Sequence, residues 1–377
     1  MPDQPALELR SLVTSDGELR LSLEEVTLSA PGPDELLVAV EAAPINPSDL
    51  GLLLGPADLS TMRAGGTAER PTLTLAIPPE RMGMLKARVG QSLPVGNEGA
   101  GTVVAAGEGQ QHLVGKRVGM LGGAMYATHR LLKARDTITL PDDASAADGA
   151  SMFVNPLTAL AMPEVMRGEG HKALVHTAAA SNLGQMLNRI ALADGVPLVN
   201  IVRSQAQAQL LRDAGAEHVV DSTAADFRTA LTDAIAATGA TIAFDAIGGG
   251  KLANAILHAM EAAANRSGGA YSRYGSTTFK QVYIYGGLDV GPTVLDRGFG
   301  FSWSVSGFLL TPWMMKAGPA KVQEMKDRVA RELKTTFASH YTDTIGLADA
   351  LKPEIVEAYQ RKATGQKFLI DPSSSRP

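Results

Sequence analysis

Residues 176–185 read HTAAASNLGQ, and they connect a strand pattern to a helix pattern. The apolar run KALVHTAA (172–179) predicts a buried strand, while SNLGQMLNRIALADG (181–195) has the periodicity of a helix and ends in glycine. A buried strand, a turn of small residues and a helix in this order are typical of the first unit of a nucleotide-binding α/β sheet.

The turn departs from the usual glycine pattern. Three glycines normally make the turn, let the backbone approach a pyrophosphate and pack the helix against the strand. Only Gly184, at the helix-packing position, is present; Ser181 takes the middle position and Ala178 or Ala179 the first. These small residues still allow close approach, but with less freedom at positive φ. Ser181 and Asn182 also suit a helix N-terminus, so the stretch alone fits either a phosphate loop or an ordinary capped turn.

The end of the next predicted strand, PLVNIVR (197–203), favours a cofactor loop. Proteins that bind NAD carry an acid about 20 residues beyond the loop, where it binds the ribose 2′-hydroxyl. Here Arg203 stands nineteen residues beyond Gly184, and Ser204 follows it. A guanidinium binds a 2′-phosphate through paired hydrogen bonds, so we predict NADPH as the cofactor. The alternative is a solvated arginine at the start of a helix.

The chain of 377 residues is long enough for two domains. From about residue 172 strands and helices alternate, which predicts a doubly wound parallel sheet covered by helices. The first 150 residues are rich in strands and turns. We predict an α/β protein with a β-rich domain over 1–150, a dinucleotide-binding domain over 151–310 and a return to the first domain over 311–377.

Several stretches are expected to lack regular structure. Residues 55–94 are interpreted as a large irregular loop or insertion, and RSGGAYSRYGSTTF (266–279) as an exposed loop. SVSG (304–307) is expected to form a turn, as are Gly249 and Gly250.

Composition argues against several kinds of function. The formal net charge of -5 lacks the basic footprint of nucleic-acid binding. The sequence contains no run of about 18 apolar residues, so no membrane span is expected. The opening residues MPDQPALELR show no secretion signal, so we expect a cytoplasmic location. The absence of cysteine excludes disulfides, thiolate nucleophiles and zinc sites with cysteine ligands.

Motifs along most of the chain resemble the medium-chain dehydrogenase/reductase superfamily. They are INPSDL (45–50), VGNEGAGTVVAAGEG (95–109), VGKRV (114–118), FVNPLTAL (153–160), the unit around HTAAASNLGQ, and GQKFLI (365–370). Within that superfamily the chain is similar to the zinc-independent NADPH:quinone oxidoreductases and also to the 2-enoyl thioester reductases. The resemblance implies a GroES-like β-rich catalytic domain, a Rossmann domain and a homodimer.

The resemblance also implies site residues. Cofactor contacts would come from Asn46, Asn155, Thr158, Ala180, Ser181, Asn182, Leu183, Arg203, Ser204, Tyr285, Gly286, Gly287, Leu288, Phe308, Leu309, Leu310 and Lys367. Asn46 and Tyr126 would be catalytic, with Asn46 near the nicotinamide and Tyr126 orienting a ring substrate or donating a proton. The alternative for Tyr126 is an aromatic residue of a strand, partly buried and without a catalytic role. Asn46 and Asn155 each precede proline, so local turns are an alternative explanation for both.

The zinc-dependent branch of the superfamily uses Cys and His ligands, and it has a His-Glu pair where this chain has Asn97 and Glu98. Glu98 alone provides too few ligands for zinc, and the seven histidines show no ligand spacing. We therefore expect no metal.

The expected activity is hydride transfer from NADPH to a quinone or to an activated alkene or carbonyl. A 2-enoyl thioester reductase is one alternative, although the tyrosine expected soon after INPSD is absent, since no tyrosine stands between Asp49 and Tyr126. A non-catalytic NADPH-binding sensor or structural protein is another, suggested by the missing glycines.

Overall fold

The computed structural model describes residues 3–266, 272–361 and 366–375. The chain forms two compact units. One comprises the chain up to Val154 and from Arg328 onward, and the other comprises Asn155–Asp327. The predicted functional domains over 1–150, 151–310 and 311–377 stay a prediction, because these units are defined by packing and not by function.

The strands and helices follow in chain order. The strands are β1 (Gln4–Val13), β2 (Glu18–Leu28), β3 (Glu35–Pro44), β4 (Asp58–Gly66), β5 (Pro71–Ala76), β6 (Ser92–Pro94), β7 (Glu98–Ala106), β8 (Arg117–Leu121), β9 (His129–Lys133), β10 (Thr137–Thr139), β11 (Leu174–His176), β12 (Leu198–Val202), β13 (His218–Asp221), β14 (Ile242–Asp245), β15 (Gly248–Gly250), β16 (Lys280–Ile284), β17 (Asp289–Thr293), β18 (Trp303–Gly307), β19 (Asp343–Ile345) and β20 (Phe368–Ile370). The helices are α1 (Leu50–Leu53), α2 (Pro79–Met82), α3 (Ala146–Gly149), α4 (Val154–Gly168), α5 (Asn182–Asp194), α6 (Gln205–Asp213), α7 (Phe227–Thr238), α8 (Leu252–Arg266), α9 (Leu310–Ala317), α10 (Pro319–Arg331) and α11 (Pro353–Gln360). Short 3₁₀ helices cover Gly83–Arg88, Gln111–Leu113, Ala134–Asp136, Asp349–Leu351 and Pro372–Ser375.

The first unit contains two sheets that are largely antiparallel. One has the strand order β4-β5-β2-β1-β6. The other has the order β10-β8-β7-β3-β20-β19, with β9 also paired to β3. The only parallel pair in these two sheets, among the strands that the structure describes, is β19 with β20. The C-terminal strand β20 therefore lies directly beside β3 from the N-terminal part of the chain.

The prediction that residues 55–94 form an irregular loop is wrong. This stretch contains β4 and β5, which pair with each other, and β5 also pairs with β2. The sequence PTLTLA alternates threonine with leucine, and Leu73 and Leu75 are fully buried. Alternation with a period of two is the pattern of a half-buried strand, and it was overlooked beside the surrounding glycines and prolines.

The second unit is a parallel sheet covered by helices. Its strand order is β13-β12-β11-β14-β16-β18, and every neighbouring pair is parallel. Numbered along the chain, this is the order 3-2-1-4-5-6 of a doubly wound nucleotide-binding sheet. In β12, all five residues of LVNIV are buried, as expected for a strand covered on both faces.

Two smaller expectations in this unit are wrong. SVSG (304–307) is not a turn, because Trp303–Gly307 forms the edge strand β18 beside β16. Gly249 and Gly250 do not form an isolated turn, because Gly248–Gly250 pairs with β17. Of the expected loop at 266–279, residues 267–271 lie outside the described residues, as does Gly365 of GQKFLI. None of the helices in the described ranges combines the length and apolar character needed to cross a bilayer.

Candidate functional site

Polar and glycine-containing loops of the second unit lie at one edge of its sheet. Because the strands are parallel, the loops after β11, β12, β14 and β16 share the carboxyl edge. The strand order reverses direction between β11 and β14, which is the topological switch point where such sheets bind ligands. Residues 177–181 form the loop after β11, and residues 246–247 follow β14.

The loop after β11 places an alanine in a conformation that favours glycine. Ala178 has a φ of 49°, in the left-handed region, and its carbonyl accepts a hydrogen bond from Ser181 N at 2.9 Å. A left-handed non-glycine residue costs about 1–2 kcal/mol. Ala178 therefore makes the turn that the first glycine of the usual pattern would make, and it does so under strain.

Gly184 performs the helix-packing role that the sequence predicts. A β-carbon on Gly184 would lie 2.2 Å from the carbonyl oxygen of Ala179, so only glycine fits. Ser181 is the N-cap of α5, and its Oγ accepts a hydrogen bond from Gly184 N at 3.2 Å. The helix N-terminus carries the positive end of the helix dipole beside the loop, which favours an anion there.

A buried acid that sequence reasoning missed joins the two loops at the switch point. Asp245 is fully buried, and its Oδ1 accepts hydrogen bonds from Thr177 Oγ1 at 2.7 Å and from Ile247 N at 2.9 Å. Thr177 Oγ1 accepts in turn from Ala246 N at 2.8 Å. The signal was present in FDAIG, where an acid ends a buried strand. These bonds fix the loops after β11 and β14 relative to each other.

His176, the last residue of β11, received no functional role from the sequence, where the histidines show no ligand spacing. It is fully buried, and its Nε2 lies 2.7 Å from the hydroxyl of Tyr285, with the two rings stacked at 5.8 Å. Burial lowers the pKa of His176 to about 3, so the imidazole is neutral. Burial also raises the pKa of the Tyr285 phenol. The phenol is engaged with His176, which leaves Gly286 and Gly287 as the less encumbered part of this predicted contact segment.

Arg203 lies at the carboxyl end of β12 with its side chain exposed. Within the described ranges its guanidinium has neither an acid partner nor a hydrogen-bond partner. The neighbouring Ser204 caps α6, since its side chain accepts a hydrogen bond from Gln207 N at 3.3 Å. A free cation therefore follows directly from the second strand of the sheet, at the position where a 2′-phosphate would need one.

The remaining predicted residues of the second unit occupy several places. Asn155 and the buried Thr158 lie three residues apart on α4, which places them on one face of the helix. Phe308 follows β18, and its ring packs edge-on against Phe244 with centroids 5.5 Å apart. The others are Ala180, which is buried, Asn182 and Leu183 at the start of α5, and Leu288, Leu309 and Leu310.

In the first unit, Asn46 belongs to a buried polar cluster. Its Nδ2 donates to Glu98 Oε1 at 2.8 Å, and its Oδ1 is buried without a hydrogen-bond partner. Glu98 also accepts from the backbone N–H groups of Phe153 and Val154, at 2.9 and 2.8 Å. Burial raises the pKa of Glu98. An unpaired acceptor on a residue this rigidly held is a feature that a ligand donor would satisfy.

Asp49, the acid of the INPSD motif, is also buried. Its carboxylate accepts hydrogen bonds from Asn46 N and Asn97 N, each at 2.8 Å. Burial raises its pKa to about 7, although these hydrogen bonds oppose the shift. Asp49 therefore joins the INPSD turn to the GNEG loop, a structural role that the sequence motif alone did not reveal.

Tyr126 lies in the core of the first unit. It is 1% exposed, and its hydroxyl donates to the Pro44 carbonyl at 3.1 Å. A β-carbon on Gly96 would lie 2.6 Å from its ring, so the two residues are closely packed. Tyr126 is therefore a core aromatic in the segment between β8 and β9, not a partly buried strand aromatic, while its catalytic role stays a prediction.

Lys367 donates from Nζ to Ser151 Oγ at 2.6 Å, and that oxygen lies 2.8 Å from the Tyr341 hydroxyl. Burial lowers the pKa of Lys367 to about 8, while Glu98 and Asp49 oppose the shift. Neither Ser151 nor Tyr341 was predicted from the sequence.

These features fit a dinucleotide phosphate, and they do not fit zinc. A helix N-terminus beside a loop of small residues and the free guanidinium of Arg203 provide two anion-binding features. By contrast, no three His, Asp or Glu side chains of the described ranges are grouped to hold a metal ion. The sequence has no cysteine.

Three matches to known proteins bear on this chain. A family profile described as zinc-binding dehydrogenase matches residues 183–279. The mitochondrial enoyl-(acyl-carrier-protein) reductase of Xenopus tropicalis is 29% identical over 215 residues, covering 53% of this chain and 51% of that protein. The crystal structure of a protein from Mesorhizobium loti, provisionally named NADPH:quinone reductase, has a TM-score of 0.71 and 28% identity, and covers 99% of each chain.

The chain belongs to the medium-chain dehydrogenase/reductase superfamily.

As a member of this superfamily, the protein has the predicted α/β fold. The parallel sheet of the second unit is its doubly wound Rossmann sheet, and the first unit is its GroES-like β-rich part, so both predictions are confirmed. The quinone oxidoreductase of Escherichia coli, solved in complex with NADPH, has a TM-score of 0.68 and covers 98% of this chain. At 19% identity, that likeness concerns the fold alone. The chain spans about half the length of the mitochondrial enoyl reductases that it matches.

Proposed function

We propose that this protein is an NADPH-dependent oxidoreductase that transfers hydride to a quinone, or to an activated alkene or carbonyl, without a metal. The observation that carries the proposal is the exposed Arg203 guanidinium at the end of the strand that follows the phosphate loop. The provisional name of the Mesorhizobium loti protein supports the same reaction class.

The proposed cofactor contacts follow from the geometry of the second unit. Ala180, Ser181, Asn182 and Leu183 would surround the pyrophosphate at the start of α5, where backbone N–H groups and the helix dipole favour negative charge. Arg203 would bind the 2′-phosphate, since its guanidinium is exposed and has no acid partner among the described residues. The hydroxyl of Ser204 would bind the 2′-phosphate beside Arg203.

Further contacts would come from three other places. Asn155 and Thr158, both on α4, would line the cofactor with an amide and a hydroxyl. The segments after β16 and β18 would border the nicotinamide and ribose, mainly through Gly286 and Gly287, because the Tyr285 phenol is already bonded to His176. The residues of this set are Asn155, Thr158, Tyr285, Gly286, Gly287, Leu288, Phe308, Leu309 and Leu310.

In the first unit, Asn46 is the residue we propose nearest to the chemistry. NADPH, when bound, supplies the hydride. Glu98 holds the Asn46 amide in one orientation, which leaves Oδ1 as a fixed acceptor. A fixed acceptor positions a donor without reorganisation, which is how a site of this kind contributes to the rate. Tyr126, the other predicted catalytic residue, is buried on Pro44, so any contribution from it requires a structural change.

A 2-enoyl thioester reductase is the second candidate, and the mitochondrial relative favours it. Against it, the stretch after Asp49 contains no tyrosine before Tyr126, and the Tyr126 hydroxyl is buried on a backbone carbonyl. The chain therefore lacks an accessible tyrosine at the position where that reductase needs one.

The test begins with cofactor binding. NADPH is titrated by fluorescence in parallel with NADH, and NADPH oxidation is then measured with a panel of quinones, enones and an enoyl thioester. We expect tighter binding of NADPH and turnover with quinones or enones. Faster turnover of the thioester would favour the second candidate. Tight binding without any turnover would indicate a sensor or structural protein, and no binding of either cofactor would contradict every version of the proposal.

We further propose that the protein is a homodimer and that it lies in the cytoplasm. A homodimer is expected from the superfamily resemblance, and it is tested by light scattering after size-exclusion chromatography. A cytoplasmic location is tested by fractionation of the native cells.

A further inference from the structure

The first unit contains a hydrogen-bonded chain of three side chains that the proposed reaction has not used. Lys367 Nζ donates to Ser151 Oγ at 2.6 Å, and Ser151 Oγ lies 2.8 Å from Tyr341 Oη. The ammonium also lies 5.3 Å from the centroid of the Tyr341 ring, within the range of a cation–π contact. We refer to Lys367, Ser151 and Tyr341 as the lysine cluster.

The backbone around the lysine cluster is fixed by sheet pairing. β20 begins directly after Lys367 and pairs in parallel with β19, which begins two residues after Tyr341. Thr342 N donates to the Lys367 carbonyl at 2.9 Å. Ser151 is 1% exposed, so its hydroxyl has one set of neighbours and little freedom. The cluster is therefore a rigid arrangement and not a chance contact between mobile side chains.

The charges around the lysine cluster are few. Glu98 and Asp49 are the acids that favour the charged form of Lys367, and neither forms a direct ion pair with it. Burial of Tyr341 raises the pKa of its phenol, and the nearby acids Glu98 and Asp148 act in the same direction. The Ser151 oxygen is the hydrogen-bond acceptor in direct contact with the ammonium. Since a buried ammonium needs acceptors to remain charged, Ser151 is the neighbour that holds Lys367 in place.

We propose that Ser151, supported by Tyr341, is a positioning residue that holds the Lys367 ammonium as a cation for an anionic group of the nicotinamide cofactor. The inference rests on the proposed NADPH-dependent function and on the cofactor contact that the superfamily resemblance implies for Lys367. It adds the residues that orient the lysine and the form in which the lysine acts.

The consequence is a dependence of cofactor affinity on pH. The pKa of Lys367 is lowered to about 8, so its charge is lost at a pH where arginine remains charged. A neutral amine does not attract a phosphate, so the affinity for NADPH falls as pH rises through this region. Loss of one charged hydrogen bond to a phosphate should lower the affinity for NADPH by about tenfold between pH 7 and pH 9.5.

The experiment measures the dissociation constant of NADPH by fluorescence from pH 6.5 to pH 9.5 on the full-length protein. Ser151→Ala removes the acceptor that favours the charged amine, so the midpoint of the affinity curve should move to lower pH. Lys367→Arg should keep the affinity nearly constant across the range, while Lys367→Met should give a weak affinity that does not change with pH. Tyr341→Phe should shift the midpoint of the affinity curve in the same direction as Ser151→Ala, but by less. It replaces Ser151→Ala as the test if that variant does not fold.

A matched control is Ser11→Ala. Ser11 is likewise a buried serine of the first unit, and its Oγ accepts a hydrogen bond from Arg88 at 2.6 Å. Its loss should lower thermal stability without moving the pH midpoint, which separates a structural effect from positioning of Lys367.

Two results would overturn the inference. One is a midpoint unchanged in both Ser151→Ala and Tyr341→Phe, and the other is a pH-independent affinity in the unmodified protein that Lys367→Met leaves unaltered. Failure of the unmodified protein to bind NADPH at pH 7 would instead overturn the proposed function.

Discussion

Gly184 packs directly against the backbone of Ala179, with no room for a side chain between the two. A β-carbon on residue 184 would lie 2.2 Å from the Ala179 carbonyl oxygen and 2.5 Å from the carbonyl carbon. This contact joins the first turn of α5 to the loop after β11. It explains why one glycine remains in HTAAASNLGQ although alanine and serine occupy the other two glycine positions.

Gly184→Ala should therefore destabilise the protein and weaken NADPH binding. The added methyl group must displace backbone, and overpacking of this kind costs about 1–3 kcal/mol. The loop that moves is the one proposed to hold the pyrophosphate, so the dissociation constant should rise as well. Chemical denaturation and fluorescence titration measure the two effects. Gly168→Ala, at the end of α4 with open space around the added atom, is the control and should be nearly neutral. Equal behaviour of the two variants would contradict the close-packing argument.

Ala178→Gly should stabilise the folded protein. The substitution removes about 1–2 kcal/mol of left-handed strain at a φ of 49°, and about 0.4–1 kcal/mol is lost because glycine makes the unfolded chain more flexible. A net gain of up to about 1.6 kcal/mol in the free energy of unfolding is expected, measured by urea denaturation. Ala193→Gly, on the exposed side of α5, should instead lose about 1 kcal/mol. The strain argument fails if both variants lose stability alike.

Arg203→Ala should weaken NADPH binding by about 1–3 kcal/mol, the loss expected for a charged hydrogen bond. NADH lacks the 2′-phosphate, so its affinity should change little. Fluorescence titration with both cofactors measures the difference. Arg228→Ala, another exposed arginine of the same unit, should leave both affinities unchanged. An equal loss for NADH and NADPH would rule out the 2′-phosphate role.

His176 should make stability fall when the solution is acidified. Its pKa is about 3 in the folded protein against an ordinary value of 6.5, so the unfolded chain binds one more proton between these values. Stability therefore rises with pH across this window and is lost as pH falls through it. Between pH 7 and pH 5 the loss from this residue is about 2 kcal/mol.

The comparison is with His176→Phe, which keeps an aromatic ring but cannot titrate. This variant should lose about 2 kcal/mol less than the unmodified protein when urea denaturation is repeated at pH 7 and pH 5. His112→Phe, at an exposed position, should behave like the unmodified protein. A pH dependence of stability that is the same in His176→Phe and the unmodified protein would show that His176 is not the buried neutral imidazole described here.

Much of the second unit was predictable because its signals are local. The alternation of strands and helices, the helix-packing role of Gly184 and the position of Arg203 at a strand end each depend on a few neighbouring residues. The same kind of local signal existed in PTLTLA (71–76), where alternating leucines mark β5, but the glycines and prolines around it led to an incorrect loop prediction. SVSG (304–307) was likewise predicted to be a turn, because its small residues do not reveal the edge strand Trp303–Gly307.

The sequence by itself determined the alternation of strands and helices in the second unit, the superfamily resemblance and the place of the proposed phosphate loop, because periodicity and turn chemistry act over short stretches of chain. Only the tertiary structure decided which polar groups meet. His176 ends β11 and bonds to Tyr285, which follows β16 109 positions away, because the parallel sheet brings these strand ends to one edge. Ser151 meets Lys367 216 positions away because β20 returns to lie beside β3. Such pairs leave no pattern in the sequence. Burial and strand order bring them together, and their spacing along the chain does not.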